Sequence, residues 1–194
     1  MSLLSYDIYT ENGDCLEFSS DSAAHVARTL NQLHSQRVFS AKTLIFSTEF
    51  SVINIQGESV EYISLRSSSP DEHGLNDLED QLMEITQEEF EKEFGDMAPE
   101  ERVAARHANA GETILVFLQL NLLSGRKIFL KLQVPKKSGP EGKIFFAHLF
   151  DNPALMFSLK DGGKGIVNPK KITSMINYPG PGKDVLPETT IYAD

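Results

Sequence analysis

The apolar residues of this chain repeat themselves 112 positions apart, and a repeat on that scale restricts the available folds more than any local pattern does. Gly13 in one polar turn answers to Gly125 in another. Before the turns Leu4, Tyr6 and Ile8 answer to Val116, Leu118 and Leu120; after them Leu16 and Phe18 answer to Ile128 and Leu130. Further on, Ile55, Val60 and Ile63 answer to Val167, Ile172 and Met175. The helical stretch between breaks the pattern, since Val26 falls opposite Ser138. The spacing therefore predicts an α+β chain of two β-rich halves, each in the order strand, strand, helix, strand, strand.

The local signals fill in that order. Leu4, Tyr6 and Ile8 alternate with polar neighbours and Asn12-Gly13 supplies the positive-φ pair of a tight hairpin, so residues 4 to 19 read as two strands. Ser20-Asp21 is a helix start, and Val26, Leu30 and Leu33 share one face of a helix over about 21 to 34. From Val38 to Leu65 β-branched and aromatic residues return, with Val52 and Asn54 on one face, Ile53 and Ile55 on the other, and a turn at Gln56-Gly57. In the second half, residues 113 to 122 are almost continuously apolar, the mark of a strand covered on both faces. Residues 127 to 134, 154 to 159 and 172 to 178 read as strands, 142 to 150 as a short helix, and Asp161-Gly162-Gly163 as a turn.

Between the halves the period changes to that of a helix. Leu75, Leu78, Leu82 and Ile85 follow an i, i+3, i+7, i+10 stripe; Thr86 and Glu89 form a capping box before Phe90 and Phe94; Pro99-Glu100-Glu101 opens a third helix. The expected organisation is a first unit over 1–66, an acidic helical connector over 67–111, a second unit over 112–178 and an extended tail over 179–194, within one compact domain.

The connector holds most of the charge imbalance. Of a net charge of −10, residues 71 to 101 contribute −12 (13 carboxylates and one lysine), leaving about +2 for the remainder. Nonspecific nucleic-acid binding rests on lysines and arginines that neutralise phosphates, so the chain as a whole is a poor candidate for it. No apolar run approaches the ~20 residues of a membrane-spanning helix. The first residues lack the basic and apolar regions of a secretory signal, and the single cysteine excludes an internal disulfide; a cytoplasmic protein is expected.

Catalytic and cofactor motifs are missing from the pattern. His25, His34, His73, His107 and His148 make no HxxxH or HExxH pair, and Gly163-Lys164-Gly165 and Gly182-Lys183-Asp184 lack the upstream glycine and the hydroxyl residue of a phosphate loop. Cys15 lies between Asp14 and Glu17, with none of the cationic neighbours that activate a thiol. No metal and no cofactor is expected, and the residues lean away from an enzyme. The favoured reading is a noncatalytic interaction module that docks a basic protein through an acidic helical face made by Asp77, Glu79, Asp80, Glu84, Glu88 and Glu91. One alternative is a small-ligand binder or enzyme with a pocket between the halves, where His148, Asp151 and Asn152 meet residues such as Asp14. Another is a structural subunit of a homo-oligomer, suggested by the apolar strand 113 to 122 and the Pro/Gly-rich tail.

Overall fold

The computed structural model describes residues 3–33, 38–48, 50–70, 73, 75, 82–98, 100–101, 104, 111–135, 151–178 and 191. The chain is α+β, with two helices and a large, mostly antiparallel sheet among the described residues. In chain order the elements are β1 Leu4–Thr10, β2 Cys15–Ser20, α1 Ala23–Gln32, β3 Leu44–Ser47, β4 Val52–Ile55, β5 Val60–Ser67, β6 Met83–Ile85, α2 Gln87–Asp96, β7 Thr113–Leu122, β8 Lys127–Pro135, β9 Leu155–Ser158, β10 Lys164–Val167 and β11 Ile172–Tyr178. Nine strands form one sheet in the order β11-β7-β8-β6-β9-β10-β5-β1-β2, while β3 and β4 pair as a separate ribbon.

The two ends of the large sheet share one plan. In the first half β1 pairs with β2 and β5, and a bulge at Glu61 puts Thr10 opposite Val60 and Tyr9 opposite Tyr62. In the second, β7 pairs with β8 and β11, and a bulge at Thr173 puts Leu122 opposite Ile172 and Asn121 opposite Ser174. Every one of these partners is displaced by 112, bulge included. The turns agree in hydrogen bonding as well. Gly13 N–H donates to Thr10 O and Gly125 N–H to Leu122 O; Glu11 N–H donates to Ser59 O and Leu123 N–H to Lys171 O. Gly13 and Gly125 both have φ of 87°, a left-handed conformation that a residue with a Cβ adopts only at a cost. The 3-10 turns Gly57–Ser59 and Pro169–Lys171 lie at the same offset. At β3 and β9 the spacing becomes 111, since Leu44 faces Ile55 and Leu155 faces Val167.

Two cores lie on the corresponding face of the strands of the two halves, and each also takes a residue from the other half, Ile166 in the first and Tyr62 in the second. Leu4, Tyr6, Ile8, Ile63 and Leu65 pack with Val26 and Leu33 from the α1 region and with Leu44, Phe46 and Ile55 of the β3–β4 ribbon. Leu120, Leu122, Ile128 and Leu130 pack with Phe157, Leu159 and Val167. On the other face of β7 and β8, Phe117 and Phe129 receive Phe90 of α2. Both faces of β7 are covered, which is what its continuous apolarity requires.

The plan is broken at one place. β10 lies along β5 with Lys164 opposite Leu65 and Val167 opposite Tyr62, so the second half lends a strand to the first. The strand at the position of β10 in the first half is β4, which pairs only with β3 among the described residues; β11, at the position of β5, ends the sheet there.

Of the helix expected over Leu75 to Ile85, residues 76–81 lie outside the described residues, and its end differs from expectation. Residues Met83–Ile85 are a strand, β6, set antiparallel to β8 and parallel to β9. The stripe that suggested a helix also alternates over its last residues, and two bare neighbouring strands decide between the periods. Leu75 is buried in the first core. Thr86 then caps α2 as expected, with Glu89 N–H donating to its Oγ1 and Glu89 Oε2 accepting from Thr86 N–H. α2 runs through Gly95 to Asp96 instead of stopping at the glycine. Glu100, Glu101 and Ala104 are helical, and the remainder of the helix expected from Pro99 lies outside the described residues. The helix expected over 142 to 150 and the tail, apart from Ile191, lie outside the described residues.

Candidate functional site

Three places bring together residues able to do chemistry or to bind. The first is the seam between the halves. The bulge on β5 turns the fully buried Glu61 across the seam, where its Oε1 accepts the Ser124 N–H of the β7–β8 turn at 2.7 Å. Asn168 closes the seam from the other direction: its N–H donates to Glu61 O at 2.8 Å and its Nδ2 to Val60 O at 3.0 Å. Lys171 pairs with Glu11, and the Arg126 guanidinium lies 3.8 Å over the Tyr9 ring. Tyr9 stacks on Tyr62 and Tyr62 on Phe157, so aromatic rings from both halves form one column. Burial pushes the hydroxyls of both tyrosines up, Tyr9 to about 12, so both are protonated near neutral pH and neither is a ready nucleophile. Glu61 Oε2 and Thr10 Oγ1 are buried without a hydrogen-bond partner among the described residues.

Beside this column Arg66 donates to Asp7 Oδ2 at 3.2 Å, to Ser64 Oγ at 3.0 Å and, through Nε, to Asp161 Oδ2 at 2.8 Å. Ser64 Oγ donates to the same Asp7 oxygen at 2.8 Å. The serine proton is thus held by a carboxylate that the guanidinium already engages, and the group clamps β1, β5 and the β9–β10 turn together.

The second place is a cleft of about 390 Å³ where the 3-10 turn Val38–Ser40 of the first half meets the second. Phe39 and Ser40 line one side, Asp151, Asn152 and Pro153 another, and Asn168, Pro169 and Lys170 the third. Sequence reasoning placed Asp151 and Asn152 at a junction of the halves, and both line this cleft; His148 lies outside the described residues. Asp14 sits in the β1–β2 turn and is not among the lining residues. Asn168 is the buried polar residue of the lining, and its amide is already held by Val60 O and Lys170 N–H. Among the described residues no group of three or more His, Cys, Asp or Glu side chains is placed to hold a metal ion.

The third place is the surface. Of the six acidic residues expected on one helical face, Asp77, Glu79 and Asp80 lie outside the described residues. Glu84 is on β6 and half-buried, which corrects its expected place on an exposed helix. Burial pushes its carboxyl above the ordinary 4.5. Glu88 and Glu91 are exposed on α2. Their neighbours Glu89 and Glu93 are tied to Lys160 at 2.6 Å and Lys131 at 2.7 Å. The Lys160 ammonium and the Thr86 N–H hold the Glu89 carboxyl down at about 2. The larger surface anomaly is apolar: Ile45 is 68% exposed, Phe50 95%, Val52 63% and Ile176 37%, all on or beside the β3–β4 ribbon and β11.

Sequence reasoning missed Glu61 and Arg66, whose roles depend on a bulge and on strand neighbours distant in sequence. Comparison with protein-family models, curated proteins and solved structures found no match, so function is argued from the geometry alone. Among the described residues no helix is long and apolar enough to cross a membrane.

Proposed function

We propose that this chain is a noncatalytic protein-interaction module made of two copies of one β-rich unit, and that it takes up polypeptide partners along its open strand edges. The common offset of strands, bulges, turns and 3-10 segments supports the duplicated origin. The observation that carries the function is the state of two edges. Among the described residues the large sheet ends on β2 and β11, and both strands of the small ribbon are edges; β2 carries Glu17, whereas β11 and β4, like β3, bear exposed apolar side chains and contain no charged residue or proline. Natural edge strands are commonly guarded by such residues, so an unguarded pair is a template for another strand. The acidic connector is the lesser docking surface, because Glu89 and Glu93 are engaged by lysines of the chain and Glu84 is half-buried.

The reading is tested by selecting random decapeptides displayed on phage against the immobilised protein at a dilution where it is monomeric. Enriched peptides should be rich in β-branched residues and should lose binding to an Ile176→Lys or Val52→Lys variant. Absence of enrichment, or peptides indifferent to both substitutions, would overturn it.

A further inference from the structure

The protein contains, in its own β10–β5 contact, a template for a contact that β4 and β11 lack among the described residues. We infer that β4 of one copy pairs antiparallel with β11 of a second copy, and that the two reciprocal contacts close a symmetric dimer. Within the chain Lys164 faces Leu65, Gly165 faces Ser64, Ile166 faces Ile63 and Val167 faces Tyr62. Moving β10 back and β5 forward by the common 112 gives the register between copies: Val52 opposite Asn177, Ile53 opposite Ile176, Asn54 opposite Met175 and Ile55 opposite Ser174. The inference rests on the edge-docking reading and names its partner.

Three observations favour this occupant. β4 and β11 stand where β10 and β5 stand in the common plan, yet they are unpaired with each other in one chain. On the ribbon Val52 and Asn54 point outward while Ile55 is buried in the first core, as Ile166 reaches the first core while Val167 stays in the second. Neither strand carries a charge to oppose its like in the partner. Because each copy offers one β4 and one β11, a two-fold axis satisfies both at once and leaves no open chain of contacts.

Sedimentation equilibrium over a wide concentration range tests the stoichiometry, and disulfide capture tests the register. The native protein should reach twice the chain mass of 21.6 kDa. Val52→Lys and Ile176→Lys, both at exposed positions, should each keep the native circular dichroism and weaken the dimer by about tenfold or more. With Cys15→Ser as background, a mixture of Val52→Cys and Asn177→Cys chains should give a mixed disulfide dimer under mild oxidation. A monomer at every concentration overturns the inference, as does a dimer indifferent to both lysine substitutions. A disulfide formed within the doubly substituted chain, in place of one between chains, also overturns it and assigns the pairing to a single molecule. If the protein is monomeric but still selects decapeptides, only the second copy is wrong; if both assays fail, edge docking itself is wrong.

Discussion

Glu61 shows how much of this molecule hangs on a single side chain. It is the extra residue of a bulge, it is fully buried, and one of its oxygens accepts the backbone N–H that starts the β7–β8 turn. Its counterpart Thr173 is exposed and bonds Asn121 O beside it, so the two halves use the same bulge for different ends. Glu61→Leu should destabilise the fold by about 2 kcal/mol, because the Ser124 N–H loses its acceptor, while Glu61→Gln should cost clearly less; urea unfolding of the two variants compares them. At Gly163 φ is +106° and an added Cβ would sit 2.0 Å from Leu65 O. Gly163→Ala should therefore cost more than about 1 kcal/mol in the same assay, through both the left-handed backbone and the clash with β5.

At the scale of elements, what was legible in the sequence is what local chemistry decides. The Asn12-Gly13 hairpin, the Thr86–Glu89 capping box and the two-faced apolarity of β7 all appear where residues 4 to 19, 86 to 89 and 113 to 122 announce them. β6 was illegible because three residues carry too little pattern to outweigh a helical stripe, and β8 and β9 supply the hydrogen bonds that choose the strand. That choice gives Glu84 its environment. An acid held above its ordinary 4.5 by burial contributes stability fully below that pH and loses it as pH rises through its folded value. Glu84→Gln should thus flatten the decline in stability above about pH 4.5, seen as a rising gap in melting temperature over the native protein between pH 4 and 7; a constant gap would contradict the assignment. Glu89 acts in the opposite sense, since Lys160 holds it at about 2 and its contribution fades as pH falls from 4.5 toward that value.

At the scale of the whole molecule, the 112-residue offset was visible in the apolar positions, but the exchange of β10 onto β5 was not, because no sequence period records which half a strand serves. The same gap hid the candidate sites. Asp151 and Asn152 are expected at a junction only from the rule that pockets favour interfaces, whereas Arg66, Asp7 and Asp161 meet only once β1, β5 and the β9–β10 turn are side by side. The assembled sheet is asymmetric: among the described residues β5 is paired on both sides and β11 on one. Hydrogen–deuterium exchange resolved to single amides tests this most directly. In dilute protein the outward amides of β11 should exchange orders of magnitude faster than those of β5, and should gain protection as concentration rises. β11 amides as slow as those of β5 at every concentration, down to the most dilute, would show that the edge is already filled and would contradict the account.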